Sequence, residues 1–302
     1  MGWAIQKAWG RTKAVLRRDS ASTSVATIHP VSTRETPLRD QVCLIAGTTG
    51  IAAATAELAG TAGARVVVSG RSAEHGDDLC KTLRAKGIAA MFVAVDLRED
   101  TAGDRLVQAC VAAHGRIDMA FHVAGISGRK FGDGPAHECS PEGWDAVMDI
   151  NARGLFLLSG AVIRQMLKQP LSPSGLRGSI LNMASVLAWS PSPGSFATHA
   201  YAASKAAIIG FSRAMAAHYA PERIRVNVIA PALVRTPMSQ RAQQDARILH
   251  LMKTKQPLVG DLLSAEQVAR AAWFLLGDDA SGITGDVLTV DGGWCVSEGQ
   301  HA

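Results

Sequence analysis

Long hydrophobic runs, clustered cysteines and an excess of charge in the body of the chain are all missing from this 302-residue sequence, and each absence removes a class of protein. No apolar run approaches the roughly 20 residues of a transmembrane helix, and no secretory signal pattern is present. The five cysteines, Cys43, Cys80, Cys110, Cys139 and Cys295, are odd in number and widely scattered. Lacking CxxC spacing or a nearby histidine pair, they suggest neither a disulfide framework nor a zinc site, and no metal is expected. They read as small buried residues in a reducing compartment, which points to the cytoplasm. The net charge of +5 would suit a polyanion, yet most of it falls in residues 1–30, where Lys7, Arg11, Lys13, Arg17 and Arg18 face Asp19 alone. The remaining chain is nearly neutral, so nucleic acid is not expected as a partner.

What is present is a composition of 47% hydrophobic and 19% charged residues, enough to bury one sizeable core. Residues 1–40 read as a basic, Ser/Thr-rich extension outside the fold, disordered or partly helical. Ile5, Ala8, Trp9 and Val15 can share part of a helix face opposite several cations, which leaves contact with a membrane surface as an alternative. From Gln41 onward, short apolar runs alternate with helical patterns: VCLIAG, ARVVVSG, AAMFVAVD, IDMAFHVAG, GSILNMAS, IRVNVIAP and DVLTVDGG are separated by stretches of helical period. That alternation implies right-handed crossovers and a parallel sheet. The expected fold is α/β, a single Rossmann-type doubly wound domain over residues 41–302 with a seven-stranded parallel sheet flanked by helices.

The first strand-to-helix turn of such a sheet presents backbone amides to a pyrophosphate. Here that turn is IAGTTGIAAA, with Gly47 and Gly50. A two-glycine turn alone is a weak signal. Tyr201 and Lys205 in YAASK, four apart on a helix, share one face; a phenol beside an ammonium is eased toward phenolate and can exchange protons near neutrality. Such a pair alone is also common on surfaces.

Together with Ser185 in SILNMAS, Asn151 in INARG, and the segments RVNVIAPALVRTPM and ITGDVLTVDGGW, these motifs resemble the short-chain dehydrogenase/reductase family, 3-oxoacyl-carrier-protein reductases among them, over about residues 41–296. The glycine turn departs from the family pattern TGxxxGxG: Ala46 stands for threonine, the turn is one residue shorter, and Ala52 replaces the third glycine. His122 and Val123 replace the two asparagines of the family's NNAG motif.

The resemblance implies hydride transfer between a nicotinamide cofactor and a ketone or secondary alcohol. Tyr201 would be the proton donor or acceptor, Ser185 would polarise the carbonyl, Lys205 would hold the ribose and tune the phenol, and Asn151 would hold a relay water. It also implies a cofactor site at Gly47, Thr48, Thr49, Gly50 and Ile51, with Asp96 and Leu97 at the adenine, Ala124 and Gly125 in the central strand, and Val234 and Thr236 at the nicotinamide amide. Arg71, following the second strand where an acid would hold the ribose diol of NAD, favours NADP(H), with NAD(H) as the alternative. Trp189 and Phe196 are expected to line the substrate pocket, with His199 near its mouth and residues 238–263 as a cover. The family's assemblies imply a homotetramer. A weakly binding nucleotide sensor or scaffold is the competing reading.

Overall fold

Val42 to Ala46 are all buried, with at most 1% exposure, because a strand between two helical layers has no solvent face. The computed structural model describes Leu38 and residues 40–298; the expectations for residues 1–37 lie outside the described residues. The first half of the fold runs β1 (Val42–Ala46), α1 (Ile51–Thr61), β2 (Arg65–Gly70), α2 (Ala73–Ala85), β3 (Ala90–Ala94), α3 (Ala102–His114) and β4 (Met119–His122). The second half runs α4 (Pro141–Met148), α5 (Gly154–Met166), β5 (Gly178–Met183), α6 (His199–Tyr219), β6 (Ile224–Pro231), α7 (Gln240–Gln244), α8 (Ala246–Lys255), α9 (Ala265–Leu276) and β7 (Val287–Val290).

The seven strands lie in the order β3-β2-β1-β4-β5-β6-β7, and every pairing is parallel. Ile45 faces Val68 on one side and Phe121 on the other, which fixes the register at the centre. One core fills the space between the sheet and α1, α2 and α9; a second lies beneath α3, α5 and α6. The strand order reverses beside β1, so a crevice opens where the carboxyl ends of β1 and β4 diverge, the place where doubly wound sheets bind ligands.

Local chemistry sets the element ends. Ser264 and Gln267 form a reciprocal capping box that starts α9, at 2.8 and 3.2 Å. At its other end Arg225, buried on β6, donates to the carbonyls of Leu275, Leu276 and Gly277. A π-helical turn, Asp149–Arg153, joins α4 to α5 into one continuous helix. That helix, Pro141–Met166, is long and apolar enough by composition to cross a membrane, which corrects the reading that no run approaches such a span. Half of its most apolar window is buried, and α5 packs on α3, so the apolar content serves the core. All five cysteines are free, and no acidic, His or Cys cluster suited to a metal occurs among the described residues.

Candidate active site

The glycine turn is built so that amides remain available. The Gly47 N–H is taken by the carbonyl of Ser69 at 2.8 Å, but those of Thr48, Thr49 and Gly50 have no acceptor among the described residues. Helix α1 has no side-chain cap and no acid in its first turn. Free amides at the positive end of a helix form a site for an anion, so the shortened turn still fits a pyrophosphate. Both glycines are sterically required. Gly50 has φ 55°, and a Cβ there would lie 2.8 Å from Cγ2 of Thr236; one at Gly47 would lie 2.8 Å from the Cβ of Ala52. Thr236 therefore sits against the turn itself, and Val234 lines the cleft beside it.

Further out, Thr48 leans over the end of β2 and Arg71 follows it, exposed. Asp96 is gripped by Arg98, whose Nε lies 3.1 and 3.0 Å from the two carboxylate oxygens. The hydrogen bonds from Arg98 hold this carboxyl below the usual carboxylate range, with Arg71 adding to the effect. Leu97 beside it is buried. Arg98 was not anticipated, because its side chain folds back two residues along the chain.

A cleft of about 300 Å³ runs from this turn to a wall made by the ends of β5 and α6. Ser185, Tyr201 and Lys205 line it together with Gly47, Thr48 and Thr49. Ser185 Oγ accepts the Leu187 amide at 3.3 Å, which leaves its O–H to point elsewhere. Lys205 is buried; its Nζ donates to the Met183 carbonyl at 2.8 Å and lies 5.5 Å from the centre of the Tyr201 ring. Asn151 lies behind the wall on the π-turn. Its carboxamide pairs both ways with the Ile126 backbone, at 2.8 and 3.0 Å, and donates to Ser204 at 3.0 Å. Three of its four hydrogen-bonding positions are thus spent on struts, which fixes the π-turn beside Ser204 and leaves one side-chain position uncommitted. Gly125 has no side chain where Asn151 Oδ1 and Lys205 Nζ approach; a Cβ would lie 3.0 and 3.5 Å from them. Ala124 lines the cleft, and its amide and that of Val123 both donate to Ala46.

The electrostatics differ from the expected pattern. Burial pulls Lys205 down to about 7, and burial raises the Tyr201 phenol, with the neighbouring Ser185 hydroxyl partly offsetting that rise. In the protein alone the lysine does not lower the phenol, because an amine brought down to about 7 is already neutral where a buried phenol would ionise. His122 ends β4 with its Nε2 buried and unpartnered; burial first, then the charge of Lys205, brings it down to about 3. It is neutral, as a replacement for a structural asparagine should be.

On the substrate side, Phe196 lines the cleft and packs edge-on against Trp294, with centroids 5.3 Å apart. Trp189 and His199 do not line it: Trp189 is 44% exposed, and His199 opens α6 facing solvent. The extended loop turns Trp189 outward, which corrects its place on the wall, and brings Ser195 and Thr198 inward; His199 sits exposed beside the lining Thr198. The expected cover contains α7 and α8, and it supplies Met238 and Arg241 to the wall. Three more residues, on this side of the cleft, escaped sequence reading. Asp133 accepts the amides of Ala200 and Tyr201, and Arg129 and Arg241 converge on the carbonyl of Ser195. No local pattern marks contacts made between such distant segments.

A doubly wound sheet with an anion-ready turn at its switch point and a phenol–lysine pair across the cleft is the framework of a dinucleotide-dependent oxidoreductase. The family described as enoyl-(acyl carrier protein) reductase matches residues 45–295. The chain is 34% identical over 256 residues to cis-4-hydroxycyclohexanecarboxylate dehydrogenase of Sinomonas cyclohexanicum, covering 84% of this chain and 96% of that one. It is 35% identical over 259 residues to the 3-oxoacyl-[acyl-carrier-protein] reductase FabG of Thermotoga maritima, covering 85% and 98%. Among solved structures, a short-chain type dehydrogenase/reductase from Mycobacterium ulcerans superposes with a TM-score of 0.78 at 28% identity, covering 87% and 92%. The 3-ketoacyl-(acyl-carrier-protein) reductase of Brucella melitensis complexed with NADH gives 0.74 at 28% identity, covering 85% and 99%. The chain belongs to the short-chain dehydrogenase/reductase family and is an oxidoreductase of the nicotinamide-dependent kind.

Proposed function

We propose that the protein transfers a hydride between NADP(H), taken in preference to NAD(H), and a ketone or secondary alcohol, with Tyr201 as general acid or base. The observation that carries this reading is the meeting of Ser185, Tyr201 and Lys205 on one wall of a cleft that ends at the free amides of Thr48, Thr49 and Gly50. Two neighbouring hydroxyls suit one substrate oxygen, which favours a carbonyl over a carbon–carbon double bond. When bound, the reduced nicotinamide supplies a hydride to the carbonyl carbon. Ser185 directs its O–H at the carbonyl oxygen and holds it while negative charge builds. Tyr201 delivers its proton to that oxygen. Lys205, brought to about 7 by burial, changes protonation near neutrality and is suited to exchange a proton with the phenol.

Arg71 supports the NADP(H) preference: it is exposed, makes no ion pair among the described residues, and its guanidinium suits a 2′-phosphate. The acid at the adjacent strand end, Asp96, is already held by Arg98. A homotetramer formed through α5, α6 and β7 suits the aromatic contact between Phe156, which is 54% exposed, and Phe211. A light-scattering mass of one subunit would overturn it. The cytoplasm and a single domain over 41–302 complete the reading.

Parallel calorimetric titrations with NADPH and NADH test the cofactor, and a carbonyl screen of wild type against Tyr201→Phe tests the chemistry. The variant is expected to bind dinucleotide and to lose turnover by ~100-fold or more. Equal affinity for both dinucleotides would remove the role of Arg71. Undiminished turnover would remove that of Tyr201.

A further inference from the structure

Arg129 and Arg241 come from opposite walls of the cleft mouth. Arg129 opens the short 3-10 turn Arg129–Phe131 after β4, and Arg241 lies on α7. Each directs an Nη2 at the same acceptor, the carbonyl oxygen of Ser195, at 2.6 and 3.0 Å. Both arginines and Ser195 line the cleft. Among the described residues neither guanidinium forms an ion pair, although Arg98, Arg164, Arg235 and Arg247 all do.

One neutral carbonyl is a poor match for two cations, each with about five N–H donors. Burial and the charge of Arg241 together make the Arg129 cation less favourable, and Asp133 opposes that only in part. Asp133 is itself occupied, with its carboxylate accepting the amides of Ala200 and Tyr201. The remaining donors thus lack an anion at the mouth of a cleft whose nearby wall includes the apolar Leu187, Phe196 and Met238. A carboxylate offers two oxygens in the plane that a guanidinium fork prefers.

We propose that Arg129 and Arg241 form an anion clamp that selects substrates carrying a carboxylate at the end of an apolar body, with the reacting carbon held at Ser185 and Tyr201. This rests on the hydride-transfer reading of the cleft. The substrate class is then an oxo-acid or hydroxy-acid with a hydrocarbon chain or ring between its two polar ends. The carboxylate would share the guanidinium donors with the Ser195 carbonyl, which keeps the loop over the cleft while the ligand is bound.

The test pairs 4-oxocyclohexanecarboxylate with its methyl ester, which differs by one charge. In the NADPH-loaded full chain, the acid is expected to exceed the ester in kcat/KM by about tenfold or more. Raising the salt from about 0.02 M to about 0.5 M should shrink that preference, since the clamp is exposed. In the Arg129→Gln/Arg241→Gln double variant it should fall to about one, mainly through KM. Calorimetric binding of acid and ester to the NADPH-loaded Tyr201→Phe protein, with and without the double substitution, reads the clamp independently of chemistry. Equal binding of acid and ester there, or an acid preference that survives the double substitution, overturns the clamp. A phosphate-bearing ketone preferred over the acid would also overturn it as a carboxylate site. Acid binding that depends on both arginines, without turnover by wild type, would uphold the clamp and reject the hydride-transfer reading instead.

Discussion

The carboxylate of Asp133 accepts the backbone N–H of Tyr201 at 2.9 Å and that of Ala200 at 3.0 Å, so a residue 68 positions earlier fastens the first turn of the helix that carries the phenol. An acid at this end of α6 answers both the unpaired amides and the helix dipole. It acts as a positioning residue, through the placement of Tyr201. Asp133→Ala should cost roughly 2 kcal/mol of stability, the scale of a lost charged cap. It should also lower kcat by more than it changes KM for the ketone, while Asp133→Asn recovers most of both. A normal kcat in the alanine variant, with only the denaturation midpoint shifted, would limit Asp133 to stability.

Lys205 provides a second test through pH. Its folded pKa, about 7, lies below the ordinary lysine value of 10.5, so between those limits the unfolded chain binds more protons than the native one. Stability from this site therefore rises with pH from about 7 toward 10, with a slope of up to about 1.4 kcal/mol per pH unit. Tyr201 works the other way above its ordinary value of 10, because burial raises it and the neutral phenol is favoured in the fold. Between pH 6.5 and 9.5 the urea midpoint of wild type should rise relative to that of Lys205→Met. Parallel curves would show that the native lysine keeps an ordinary pKa.

Most of the sheet was legible in the chain because strands buried on both faces leave continuous apolar runs; β6 spans Ile224–Pro231 as the run IRVNVIAP indicates. The start of helix α9 is written locally, in the capping box of Ser264 and Gln267. Helices α7 and α8 were read only as a cover segment, since QRAQQ and ARILHLMKTK are short and mixed in polarity, and the break between them depends on Asp245 capping Arg247. Among the candidate site residues, Ser185, Tyr201 and Lys205 follow from motifs at strand ends and helical spacing. Asp133, Arg129 and Arg241 do not, because their partners lie far along the chain. Trp189 was misjudged for a related reason: a loop's sequence does not fix which of its side chains turn inward.

His122 makes the folded protein sensitive to acid. Its pKa of about 3 lies below the ordinary 6.5, so below pH 6.5 the unfolded chain takes up a proton that the native site resists. Stability should fall as pH drops from 6.5 toward 3, by up to about 1.4 kcal/mol per pH unit from this group. His122→Asn removes the titrating ring and should flatten that part of the profile, as judged from urea midpoints at pH 7.0, 5.5 and 4.5. An unchanged acid slope in the variant would assign the loss to other groups.

The glycine turn gives the most direct test of the cofactor cradle. Gly50 has φ 55° and ψ −123°, a conformation costly for a residue with a Cβ, and the added methyl would fall 2.8 Å from Cγ2 of Thr236. Gly50→Ala should destabilise the fold by about 1–3 kcal/mol and, by moving the amides of Thr48, Thr49 and Gly50, weaken NADPH binding by about tenfold or more. Ala52→Gly restores the glycine of the family pattern but loosens α1 by about 1 kcal/mol. Its methyl points toward Gly47 rather than along the line of free amides, so affinity should change by only a few-fold. Calorimetric titration of both variants with NADPH separates the two effects. If Gly50→Ala binds like wild type while its melting temperature falls, the turn is structural and the dinucleotide is held elsewhere in the cleft. If affinity falls in Gly50→Ala and persists in Ala52→Gly, the two-glycine turn is a working cradle despite its missing residue.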